Sequence, residues 1–70
     1  MIPLIYARPD EEVIIRSIGG SPEERKRLSG LGFIAGCAAT VVARVDGDVI
    51  VRIGETRIAI SEQLAQLIKV

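Results

Sequence analysis

Three short β-branched runs lie close together in the second half of the chain, and the gaps between them are too small for anything but hairpins. "ATVVARV" (39–45) and "VIVRI" (49–53) are separated by Asp46-Gly47-Asp48, and "TRIAI" (56–60) follows after Gly54-Glu55. Asp-Gly is a strong tight-turn signal, because the hairpin turns that match strand twist need positive φ. Runs of Val, Ile and Thr bounded by such turns read as antiparallel strands. Upstream, "EVIIRSI" (12–18) is another β-branched run, ended by Gly19-Gly20. It places Ile15 and Arg16 on opposite faces. "SEQLAQL" (61–67) reads as a short helical turn capped by Ser61, and "IKV" closes the chain as a last short strand. About five short strands with tight turns describe a small β-barrel, whose closure would remove the exposed edges of so apolar a sheet.

One segment breaks the β pattern. In "SPEERKRLSGLGF" (21–33), Ser21 suits an N-cap, Pro22 the first helical position and Glu24 the third, which completes a capping box. Two glutamates precede three basic residues, the order the helix dipole favours, and Glu23 stands four residues before Arg27. The expected helix spans about 22–31. It carries only Leu28 and Leu31 as large apolar residues, so it buries a narrow edge and acts as a bracket. Gly32 suits the left-handed residue of a Schellman ending, with Phe33 touching Leu28. Gly36, in "IAGC", suits the positive-φ position of a type II turn. Gly30 costs about 1 kcal/mol against alanine inside the last turn. It marks either a frayed end or a place where something packs close to the backbone.

Seventy residues make one domain, 1–70. A chain of this size buries only about 60% of the surface its unfolded form exposes. Apolar residues are 49% of it and mean hydropathy is +0.38, which leaves apolar surface for a partner or for weak self-association. Nine basic residues balance nine acidic ones, and there is no tryptophan. A nucleic-acid partner wants a basic surface and stacking aromatics, so none is expected. With one cysteine and no histidine, no disulfide, structural zinc site or His-activated nucleophile can be assembled. Cys37 reads as a small buried apolar residue. The run Asp10-Glu11-Glu12 reads as a solvated turn opening a strand, since neighbouring strand carboxylates point to opposite faces. The reading is therefore of a non-enzyme with no cofactor and no metal site. The start "MIPLIYARP" lacks the basic n-region of a signal peptide, and no later apolar run is long enough to span a bilayer. No membrane insertion is expected, and a cytoplasmic location is.

The ordered set Lys26, Arg27, Leu28, Leu31, Gly32, Phe33 and Gly36 resembles the signature of the FeoA family. The tail residues Arg57, Ile58, Ala59, Ile60, Ala65, Ile68 and Val70 resemble that family's ending. The resemblance covers essentially the whole chain. Two turns depart from it: Pro9-Asp10 and Ala35-Gly36 stand where the family commonly has Pro-Gly. Asp10 suits a type I turn, so the fold is not placed in doubt. The resemblance implies a mainly β, SH3-like barrel and a role as an accessory protein of ferrous-iron uptake. Such a protein would dock on the cytoplasmic side of the membrane transporter FeoB, which carries a GTPase domain, and help assemble or regulate it. The same fold occurs as an appended domain of DtxR-like metal-dependent repressors, so a detached regulatory domain of that kind is the alternative.

The basic cluster Arg25, Lys26, Arg27 is either a solvated helix face or the polar rim of an apolar contact patch. The candidate partner-binding residues are Arg25, Arg27, Leu28, Gly30, Leu31 and Phe33. Leu31, with Arg27 and Gly30, would form the centre of that face, and Phe33 would lie partly buried behind it. Proline-rich peptides are excluded as partners, because Tyr6 and Phe33 are too few to line a groove for them.

Overall fold

The computed structural model describes residues 1–70. Six strands, two helices and one 3₁₀ turn follow the chain. The order is the 3₁₀ turn Leu4–Tyr6, β1 (Glu12–Ile14), β2 (Ser17–Ile18), α1 (Pro22–Gly30), β3 (Ala38–Val45), β4 (Asp48–Ile53), β5 (Thr56–Ser61), α2 (Glu62–Ala65) and β6 (Ile68–Lys69). The hairpins form where the turn residues ask for them. Asp46 and Gly47 both have positive φ, 48° and 84°, between the paired residues Val45 and Asp48. Gly54, at φ 60°, opens the second two-residue turn, between Ile53 and Thr56. The strand order in the main sheet is β1-β3-β4-β5, all antiparallel.

The first long strand splits in two. β1 pairs with β3, but at Ile15–Arg16 the chain changes partner: the Ile15 N–H donates to Cys37 and the Arg16 N–H to Lys69. β2 then pairs with β6 in a separate two-stranded sheet. This handover makes six strands of the expected five, and it leaves the sheet open. β5 has a neighbour only in β4. The expectation of a fully closed barrel is corrected accordingly, although the small mainly β architecture stands.

The core is one cluster fed by every layer. Phe33, Leu4, Ile15, Leu28, Ile68, Val41, Val49 and Val51 are all essentially inaccessible to water. Leu4 reaches it because the N-terminal segment is tied down: the Arg44 guanidinium donates to the carbonyls of Ile5 and Ala7, and Ile2 and Val70 exchange main-chain hydrogen bonds. Nothing in the local sequence announced this strap. Cys37 is only half-buried, not buried as expected. Asp10 has φ 65°, and the Glu11 N–H donates to the Arg8 carbonyl. Pro9 and Asp10 are thus the central residues of a turn with positive φ at its third position, the type II pattern and not type I.

Candidate partner-binding face

Helix α1 is fixed at both ends by side chains and turns that bury little. At its start the Ser21 N–H donates to Glu24 Oε1 at 2.9 Å, and the Glu24 N–H donates to Ser21 Oγ at 3.1 Å. The Ser21 N–H bond, and after it the Ser21 hydroxyl beside the carboxylate, hold the Glu24 carboxyl below its ordinary value of 4.5. The Arg25 guanidinium donates to the Gly20 carbonyl at 2.8 Å. Gly20 itself sits at φ 93°, and a Cβ there would lie 2.8 Å from Leu67 Cδ1 and 3.0 Å from Glu24 Oε1. The helix begins at the Ser21 cap and Pro22, and a side chain at Gly20 would push against Leu67 and Glu24 in a left-handed backbone.

At the far end Leu31 is the C-cap and Gly32 turns left-handed, at φ 104°. The Phe33 N–H donates to Leu28 and the Gly32 N–H to Ser29, both at 3.0 Å. These two bonds make the Schellman ending that Gly32 pointed to. The turn after it also forms as read: the Cys37 N–H donates to the Ile34 carbonyl across Gly36, at φ 95°.

Between these ends the helix turns two different faces. Leu28 goes wholly into the core, and Phe33 joins it at 0% exposure, so the expected partial burial of Phe33 is corrected. Glu23, Glu24, Arg27 and Leu31, spaced along one stripe, instead form one wall of an open cleft of about 440 Å³. Ala59 and Ile60 of β5 and Leu64 of α2 form the other wall. Leu31 remains 40% exposed at this cleft. Neither Glu23 nor Arg27 takes part in a side-chain hydrogen bond, so the pair expected between them does not form.

The six residues singled out in the sequence therefore separate. Arg27 and Leu31 share the cleft. Gly30 is exposed, and a Cβ added to it would meet nothing within 4 Å, so no part of the chain packs against its backbone. Arg25 is committed to the Gly20 carbonyl, while Leu28 and Phe33 are core and out of a partner's reach. The β5 and α2 wall was missed, because only the tertiary fold brings Ala59 and Leu64 opposite Arg27.

Elsewhere on the surface, Met1, Ile2, Tyr6, Ile14, Ile34 and Val45 are large apolar side chains exposed at least as much as Leu31, but none of them lines the cleft. A second depression of about 420 Å³ lies around Glu12, Thr40, Arg52 and Glu55, and is mostly polar. No three Cys, Asp or Glu side chains come together where they could hold a metal ion. No helix is long and apolar enough to cross a membrane.

Known proteins supply the remaining constraint. The FeoA domain family matches residues 2–70. The chain belongs to the FeoA family. A Methanocaldococcus jannaschii protein named "Putative Fe(2+) transport protein A" is 34% identical over all of this chain and 85% of its own length. The crystal structure of an iron uptake regulatory protein (FeoA) superposes with a TM-score of 0.85 at 28% identity, over 96% of this chain and 89% of that one. A manganese-dependent transcriptional repressor also superposes, with a TM-score of 0.85 over 94% of this chain and 38% of its own, but at 20% identity that likeness shows the fold alone.

FeoA proteins are accessory components of ferrous-iron transport, and this chain is one of them. Its fold is SH3-like, as the FeoA structures are. The FeoA signature is largely a folding instruction here. Leu28 and Phe33 fill the core, and Gly32 and Gly36 supply positive φ. Lys26, Arg27 and Leu31 are the signature residues left over, and of these Arg27 and Leu31 face the cleft.

Proposed function

We propose that this FeoA protein acts by binding and not by chemistry, on the cytoplasmic side of the ferrous-iron transporter FeoB, and that it helps assemble or regulate that transporter through the α1 cleft. The observation that carries this reading is Leu31. It is a large apolar side chain, 40% exposed, at the end of a helix capped at both termini. A rigid element loses little ordering entropy on association, so a small apolar anchor on it suffices to contribute affinity. Arg27 beside it supplies the polar rim, and exposed Gly30 leaves main chain open for a close approach. Arg25, Leu28 and Phe33 serve the face indirectly by holding α1 in place.

The experiment is copurification with full-length FeoB in detergent and with its soluble GTPase domain. It is run beside Fe(II) uptake in a strain that lacks the protein and is complemented with wild type or with Arg27→Glu. Binding and restored uptake by wild type, both lost in Arg27→Glu at unchanged melting temperature, support the reading. No binding to either form of FeoB overturns it, and returns attention to a repressor's detached regulatory domain.

A further inference from the structure

The cleft borders an unpaired strand edge. In the Gly54-Glu55 hairpin, Ile53 and Thr56 flank a two-residue turn and so exchange both main-chain hydrogen bonds. The alternation that follows points the N–H and C=O groups of Thr56, Ile58 and Ile60 toward β4, and those of Arg57 and Ala59 away from it. β5 has no second neighbour, and neither Arg57 nor Ala59 makes a main-chain bond elsewhere. Both residues are exposed. A row of free donors and acceptors of this kind is a template for one more strand.

We infer that a single extended polypeptide segment of the partner adds to the outer edge of β5, lying in the cleft between that edge and α1. The inference rests on the reading of FeoB as partner, and names the form in which FeoB is held. Two observations choose this occupant. The free groups on Arg57 and Ala59 are main-chain donors and acceptors in strand spacing, which only an extended backbone matches in register. Helix α1 stands along the cleft, so a lone segment enters where a strand already built into a sheet would need the space α1 fills. The cleft also sets the sequence character of the segment. Its helix wall carries two carboxylates, Glu23 and Glu24, against one guanidinium, Arg27, and it is apolar at Leu31 on that wall and at Leu64 on the other. The segment therefore alternates, with an apolar side chain over Leu31 and Leu64 and a basic one toward the glutamates.

The test is amide hydrogen exchange by NMR on the full chain, free and with the soluble GTPase-bearing part of FeoB or the whole transporter in detergent. Strand addition slows exchange at Arg57 and Ala59 tenfold or more on binding. Resonances of Arg27 and Leu31 that shift while the Arg57 and Ala59 amides exchange at the free rate overturn the strand, and leave the docking face standing. Protection of those amides without FeoB, rising with protein concentration, gives the edge to a second copy and also overturns it. Absence of any binding removes the FeoB reading and the inference with it. Ala59→Pro is the complementary variant, because the N–H it deletes points away from β4 and no ladder bond is lost. A folded Ala59→Pro protein should bind at least tenfold more weakly, and binding at wild-type affinity contradicts the proposal.

Discussion

Gly20→Ala tests how α1 is anchored. The substitution adds one methyl group to a residue at φ 93°. The backbone strain of a left-handed L-residue is about 1–2 kcal/mol. The new Cβ would lie 2.8 Å from Leu67 Cδ1 and 3.0 Å from Glu24 Oε1, so both must move. Displacing Leu67 from its rotamer costs about 0.5–1.5 kcal/mol. The bond from Ser21 N–H to the Glu24 carboxylate is disturbed as well, at an exposed site. Alanine returns roughly 0.4–1 kcal/mol by stiffening the unfolded chain. The net loss is roughly 1–3 kcal/mol, a large part of the stability of a domain this small. The melting temperature should fall by roughly 5–20 °C. Gly32→Ala is the control. Its φ is 104°, but its Cβ would meet nothing within 4 Å, so it carries the strain alone. Urea unfolding followed by circular dichroism gives both values. Equal losses for the two variants would refute the argument, because the Leu67 and Glu24 contacts would then add nothing.

Other expectations follow from single residues. Leu28→Ala should cost about 2–5 kcal/mol, because Leu28 is wholly buried, and should lose binding only by unfolding; a folded, well-melting variant that fails to bind would place Leu28 in the interface instead. Asp10→Gly should raise the free energy of unfolding by up to about 1 kcal/mol, read as a higher urea midpoint, since Asp10 holds φ 65° where glycine is strain-free; a lower midpoint would show that the Asp10 side chain stabilises the turn. The lowered pKa of Glu24 gives stability that is fully present above the ordinary value of 4.5 and is lost as pH falls through the folded value. Glu24→Gln keeps a cap acceptor without the titration, so the stability gap between the two proteins should be constant near neutrality and shrink on acidification; a gap independent of pH down to the folded value contradicts this.

The turns and caps were legible because each depends on residues within a few positions. Asp46-Gly47, the Ser21–Glu24 box and the Gly32 ending all formed as read. What escaped was set by distant partners. The split at Ile15–Arg16 depends on Cys37 and Lys69 competing for one extended strand, and local β-propensity cannot register that. The strap that buries Leu4 depends on Arg44, thirty-odd residues away. The type of the turn at Asp10 was misread because aspartate fits type I and also tolerates left-handed backbone. For the candidate face, the sequence put Leu31 with Arg27 and Gly30 at the centre, yet it also counted Leu28 and Phe33, which are wholly buried, among the contact residues. In the fold, the Schellman contact draws Leu28 inward with Phe33 and leaves Leu31 at the cleft.

The account's central claim is that Leu31 belongs to a docking face and not to the core. Leu31 is already 40% exposed, so truncating it removes less than the 1.5–3 kcal/mol or so of a fully buried leucine. The direct measurement is calorimetric titration of Leu31→Ser and wild type into detergent-solubilised FeoB, with melting curves of both proteins run alongside. The account predicts a folded Leu31→Ser protein, melting within a few degrees of wild type, whose affinity falls at least tenfold. A folded variant that binds like wild type, or a variant that unfolds, would contradict it.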